Sequence, residues 1–222
     1  MTKIIKTSGI ISDTDNTLIA THSFVENHII RTCKLLKLKP PSHQKYVSYL
    51  KTNPPFEQIF NFFFGNKRGS EVLEAYRKTA PSFKYKAVPG ALGFIRKTDK
   101  LKIPMVIVTN RLRMIEDRLK QAEINPKSFE DVVSLDIPKP NKHAYDSAID
   151  SLIKLGAKRE TILFIGDHPH DYLAVPDNLK ANFYAVLTGL NKAHEFTELH
   201  LSSENIVKRL DRLSGKIEND NG

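Results

Sequence analysis

Short, mostly apolar runs recurring between helix-like stretches constrain this chain more than any other feature. Residues 9–12, 105–109, 131–134, 161–165 and 182–187 read as strands, and apolar runs without strict alternation are what a strand covered on both faces looks like. Helix-like segments lie between them. One spans 112–122; in another, Ala144, Tyr145, Ala148, Leu152 and Leu155 recur at helical spacing with Gly156 as the stop. Strand–helix alternation predicts an α/β fold with a doubly wound parallel sheet.

One interval breaks that alternation. Residues 19–86 carry a helical periodicity of their own, in which Val25, Ile29, Cys33 and Leu36 share a face. Pro40-Pro41 and Asn53-Pro54-Pro55 divide the interval into helices, with Leu73 to Lys78 in the last one. A small helical domain inserted after the first strand is expected, with the aromatic cluster Phe60-Asn61-Phe62-Phe63-Phe64 buried in it or against the core. Cys33, the single cysteine, excludes an internal disulfide and a multi-cysteine zinc site.

The polar residues that follow the strands carry the chemistry. Asp13-Thr14-Asp15-Asn16-Thr17 puts two carboxylates one residue apart just past Ile10-Ile11. Residues i and i+2 of an extended chain point the same way, so both acids can face one pocket. Crowded acids call for a hard divalent cation, and magnesium prefers oxygen ligands. One carboxylate can then serve as nucleophile and the other as proton donor. Thr109-Asn110 ends the second strand with a hydroxyl and an amide able to donate to an anion. In Ile137-Pro138-Lys139-Pro140, two prolines fix the backbone around one lysine, a compact cation suited to a phosphate oxygen. Gly166-Asp167-His168-Pro169-His170-Asp171 then delivers two more carboxylates spaced like one helical turn.

In that order, D-x-D-x-T, the strand-end threonine, Lys-Pro and G-D-x-x-x-D resemble the haloacid dehalogenase (HAD) superfamily, specifically its phosphoglycolate phosphatase-like members with a helical cap. The likeness runs from Ile10 to Leu190 and includes Ala87-Val88-Pro89-Gly90 and Val186-Leu187-Thr188-Gly189. It implies a Rossmann-like core of residues 1–18 and 87–213, a cap of 19–86, and a first strand lying between the second and fourth. Ser214 to Gly222 is polar and expected to be a disordered tail.

The resemblance also assigns roles. Asp13 would attack phosphorus and form an aspartyl-phosphate, and Asp15 would protonate the leaving alcohol and then activate water. Magnesium would be held by the Asp13 and Asp167 carboxylates and the Asp15 backbone carbonyl. Thr109 and the Asn110 amide would donate to phosphoryl oxygens, and Lys139 would neutralise charge. Asp171 would act from outside the ligand set, and Thr17 would tie down the loop after Asp15. The carboxylate at Asp15 separates this chain from dehalogenase and phosphonatase relatives, which lack one there. Asn16 stands where glycine is usual, Ser12 where an aromatic is common, and His168 and His170 flank Pro169 with rim or structural roles expected.

The implied activity is magnesium-dependent hydrolysis of small phosphomonoesters, in a cytoplasmic protein. No apolar stretch approaches the roughly 20 residues a membrane span needs, and no signal-peptide pattern opens the chain. A sugar phosphomutase would share the covalent step. A third reading, from a different class, makes the inserted segment a nucleic-acid or scaffold-binding surface. Net charge is +9, and residues 20–86 hold 12 Lys and Arg against 4 Asp and Glu. That excess can steer anionic substrates, but no nucleic-acid motif accompanies it, so nucleic acid is not the expected partner. His22, Phe24, His28 and Arg31 are candidates for substrate contact because they follow the first motif closely. Substrate identity and oligomeric state are left open.

Overall fold

The computed structural model describes residues 4–52, 54–80 and 83–220. The chain divides into two compact units, residues 1–20 with 86–222, and residues 21–85.

The larger unit is built on a six-stranded parallel sheet: β2 (Gly9–Ser12), β3 (Met105–Thr109), β4 (Asp131–Ser134), β5 (Ile162–Gly166), β6 (Phe183–Val186) and β7 (Ile206–Val207), in the order β4-β3-β2-β5-β6-β7. Every residue of β2, β3, β5 and β6 is buried, which is why these strands read as apolar runs. The edge strand β4 is half exposed and correspondingly carries Asp131 and Ser134. Strand order reverses between β2 and β5, with β2 paired to both β3 and β5, so their carboxyl ends flank the crevice where open α/β sheets hold ligands.

Helices α5 (Ala91–Leu101), α6 (Ile115–Gln121), α7 (Asp146–Lys154), α8 (Pro169–Ala174), α9 (Ala193–Thr197) and α10 (Asp211–Ser214) complete this unit. In and just before α7, Ala144, Tyr145, Ala148, Ile149 and Leu152 join the core, and Gly156 past its end takes the left-handed conformation (φ 92°). Helix α6 begins later than its apolar pattern implies. Leu112 and Met114 are exposed, and Met114 has φ 58°, a left-handed conformation that a right-handed helix does not include.

The chain end is a further correction. Instead of a disordered tail from Ser214, the strand β8 (Ile217–Asn219) pairs in parallel with β1 (Ile5–Thr7). Ile217 is buried, and Asn219 Nδ2 donates to the Leu101 carbonyl at 2.8 Å. One apolar residue in a polar stretch is too little signal for a strand that depends on a distant partner.

The smaller unit holds α1 (Thr21–Leu35), α2 (His43–Leu50), α3 (Phe56–Phe64) and α4 (Asn66–Thr79). Pro40-Pro41 and Pro54-Pro55 fall between helices, while Asn53 lies outside the described residues. Gly69 of α4 rests on the Phe60 backbone, where a Cβ would come within 2.8 Å of its carbonyl. Val25, Ile29 and Cys33 form the buried face of α1, whereas Leu36 lies past its end and is partly exposed.

The aromatic cluster divides between two faces. Phe60 is fully buried against Tyr76, but Phe62 is 59% exposed and stacks on Tyr49 at 3.8 Å, since residues two apart on a helix face away from each other. His28 is an interior residue: it stacks on Tyr76 at 3.9 Å, and its Nε2 lies 2.7 Å from Thr79 Oγ1. Burial, reinforced by Arg31, lowers its pKa to about 4. Phe24 stacks on Tyr85 and Arg31 lies over the Phe83 ring. Among the described residues, no helix is long and apolar enough to cross a membrane.

Candidate active site

Asp13 directly follows β2, and its backbone N–H donates to the Ile165 carbonyl at 2.9 Å, fastening the strand end to β5. The turn beyond it needs a left-handed residue at position 16. Asn16 meets that need with φ 59°, which explains how it stands in for glycine. Thr188 donates its hydroxyl to the Asn16 carbonyl, and Ser12 donates to the Asp13 carbonyl at 2.8 Å.

Acids distant in sequence converge here. Asp13, Asp167 and Asp171 each offer a carboxylate oxygen within 4.8 Å of the others, and all three are buried. Thr17 Oγ1 lies 3.2 Å from both Asp13 Oδ2 and Asp167 Oδ1, joining the first motif to the end of β5. Lys139 is the counter-charge. It is 3% exposed, and its ammonium donates to Asp13 Oδ1 at 2.7 Å and to the Val108 carbonyl at 3.0 Å, with Asp171 Oδ1 at 2.6 Å. Its backbone N–H is held by Asn110 Oδ1 at 2.8 Å. Thr109 is buried at the end of β3, and its Oγ1 accepts from the Arg111 N–H at 3.2 Å.

Three buried carboxylates answered by one ammonium leave an excess of negative charge, and the titration of the group reflects it. Burial pushes Asp13 up to about 7; Lys139 opposes the rise, while Asp171 and Asp15 add to it. Asp167 is pushed well above the usual carboxylate range by burial and by its two acidic neighbours, with the Thr17 hydrogen bond and Lys139 opposing. Burial alone would lower Lys139, but Asp13 and Asp171 hold it well above its ordinary value. Such a site takes up either a proton or a cation. Hard oxygen donors with surplus charge fit a small divalent ion such as magnesium. Lys139 contacts Asp13 and Asp171 alike, and these two with Asp167 are the carboxylates close enough to share such an ion.

Two glycines make the close packing possible. A Cβ at Gly166 would overlap the Asp171 side chain, and one at Gly189 would overlap Asp167 Oδ2. Gly189→Ala should therefore destabilise the protein by about 1–3 kcal/mol as overpacking at a closed site does. Gly93→Ala, on an open face of α5 with nothing within 4 Å, should stabilise by about 0.5–1 kcal/mol. Urea midpoints of the two variants check the contrast, and equal midpoints would rule out the steric account.

Asp15 does not join the acidic cluster through its side chain. Its carboxylate is paired with Arg111, whose Nε donates to Oδ2 at 3.0 Å and whose Nη2 donates to Oδ1 at 2.9 Å. Arg111 belongs to none of the sequence motifs; its one signal there is a guanidinium two residues past the strand-end threonine. The histidine pair closes a helix end. His168 caps α8, its Nδ1 accepting from the His170 N–H at 3.1 Å while its own N–H donates to Asp171 Oδ2 at 3.0 Å. The His168 ring fixes the first turn of α8, while its backbone N–H holds the Asp171 carboxylate.

The profile of the haloacid dehalogenase-like hydrolases matches residues 10–186. A haloacid dehalogenase-like family hydrolase from Streptococcus pneumoniae superposes with a TM-score of 0.67 at 18% identity, over 92% of this chain and 95% of that one. A candidate beta-phosphoglucomutase from Thermotoga maritima gives 0.71 at 16%, over 94% and 97%. CbbY from Rhodobacter sphaeroides, solved in complex with phosphate, gives 0.64 at 13%, over 93% and 96%. At these identities the structural likeness speaks to the fold. No curated protein matches the sequence.

Proposed function

The chain belongs to the haloacid dehalogenase-like hydrolases, and from that premise we propose that it is a magnesium-dependent phosphatase acting on small phosphomonoesters through an aspartyl-phosphate. One observation carries the reading: a buried Asp13 carboxylate shares its pocket with Asp167 and Asp171, and Lys139 binds it at 2.7 Å.

In the first half-reaction, an Asp13 oxygen bonds to phosphorus as the ester P–O bond breaks, and Asp15 gives its proton to the departing alcohol oxygen. In the second, water attacks the same phosphorus and loses a proton to the Asp15 carboxylate. The bond from phosphorus to Asp13 breaks, inorganic phosphate leaves, and both acids return to their starting forms. The Thr109 hydroxyl and the Asn110 N–H donate to phosphoryl oxygens, and Lys139 balances charge that shifts during transfer. Asp171 keeps Lys139 placed, and Thr17 holds the Asp13 and Asp167 carboxylates in register. Magnesium would be held by the Asp13 and Asp167 carboxylates with the Asp15 backbone carbonyl, supplying positive charge that offsets the repulsion between two anions.

A panel of sugar, carboxylate and aryl phosphates tests the proposal. Inorganic phosphate should be released from at least one member with magnesium present, and release should stop on chelation and resume when magnesium is restored. No release from any member at millimolar magnesium would count decisively against hydrolysis. The sugar phosphomutase alternative shares the covalent step, and appears in the same panel as transfer to a second hydroxyl without free phosphate.

A further inference from the structure

Arg111 belongs to the segment that links β3 to α6, and that segment is anchored at both ends of the site. Asn110 receives the Lys139 N–H, the Arg111 N–H rests on Thr109, and the Arg111 side chain reaches a residue 96 positions earlier, Asp15. Two parallel hydrogen bonds at 2.9 and 3.0 Å take one donor to each carboxylate oxygen. The pair is partly exposed, at 22% and 28% of the two side chains, so a reactant can compete for it.

A guanidinium has five donors, no acceptor, and never gives up its proton. Its fork fixes the plane of a carboxylate as well as its position. Held this way, Asp15 is an oriented proton acceptor. That suits the water-activating half of the reaction proposed above; delivering a proton to a leaving oxygen requires at least one of the two hydrogen bonds to give way.

We propose that Arg111 is the positioning residue for Asp15, fixing its carboxylate for hydrolysis of the aspartyl-phosphate and yielding one oxygen when a leaving group arrives. The inference rests on the phosphatase reading, and its test separates the two. 4-Nitrophenyl phosphate suits the purpose because its leaving aryloxide needs no proton, so only the second half-reaction calls on Asp15.

In stopped-flow with magnesium, Arg111→Gln should show a nitrophenol burst larger than the wild type's and approaching one equivalent per chain. A steady state at least tenfold slower should follow, as phosphorylated enzyme accumulates. Arg111→Lys keeps the charge but cannot fork, and should fall between the two. A merely structural role would slow both phases together. If Arg111→Gln, or Arg111→Lys should the former fail to fold, melts like the wild type and shows no enlarged burst, the positioning role is wrong while the phosphatase reading stands. A wild type that releases no nitrophenol and no phosphate from any ester would overturn both.

Discussion

Asp13→Asn should lower phosphomonoester turnover by roughly four orders of magnitude or more, the scale seen when a covalent nucleophile is removed. The substitution preserves shape, so the loss reads chemistry: a neutral amide oxygen is a poor nucleophile toward phosphorus, and it removes a formal charge from the proposed magnesium site. Retained turnover near the wild-type rate would remove Asp13 from the reaction.

The same variant has a second, opposite effect on stability. In the unfolded chain Asp13 ionises near its ordinary pKa of 3.8, whereas burial holds it near 7 in the folded protein. Below about pH 4 both states are protonated and the residue costs nothing. As pH rises through that value the unfolded chain releases its proton first, so stability falls until the folded carboxyl also ionises near pH 7, and the penalty is then complete. A displacement of that size corresponds to about 4 kcal/mol. Metal-free Asp13→Asn should therefore melt several degrees above the wild type at pH 8 and close to it at pH 4, and added magnesium should shrink or reverse the gap by stabilising only the wild type. A melting difference that does not change with pH would mean that Asp13 is ionised throughout.

What could be read in advance follows from how each feature is encoded. Strands β2, β3 and β5 announce themselves because both faces are buried, so composition alone marks them. Asp13, Thr109, Lys139 and Asp167 stand at strand ends or beside prolines in a recognisable order, and the fold draws them together. The remaining features depend on pairings between distant residues. Nothing local distinguishes Arg111 from other surface arginines until the chain brings it to Asp15, and the place of Asp171 outside the expected ligand set gives no hint of its pairing with Lys139 at 2.6 Å. Gly189 looks like a turn residue, yet its importance lies in the Asp167 oxygen packed against its Cα. His168 could be taken for a ligand through either ring nitrogen, but its Nδ1 already accepts from the first turn of α8. Hydrophobic pattern reports burial, whereas these contacts are set by approach geometry.

Lys139→Met should be the most destabilising substitution at the site. The ammonium is the only cation within hydrogen-bonding distance of Asp13 and Asp171 among the described residues, and both acids are buried. Removing one partner of a buried pair while leaving the other charged costs about 3–5 kcal/mol, on the order of 10 °C in melting temperature for a chain of this size. Two independent reliefs should follow from that account. Lower pH should shrink the loss, because Asp13, already raised to about 7 beside the lysine that opposes the rise, takes up a proton more readily once that lysine is gone. Adding Asp171→Asn to Lys139→Met should recover part of it, because the orphaned carboxylate is then neutral and the two substitutions share a partner and cannot be additive. Urea midpoints of the wild type, both single variants and the double variant close the cycle. A coupling of less than about 0.5 kcal/mol, the size expected of unconnected sites, would show that the acid cluster is balanced by something other than Lys139.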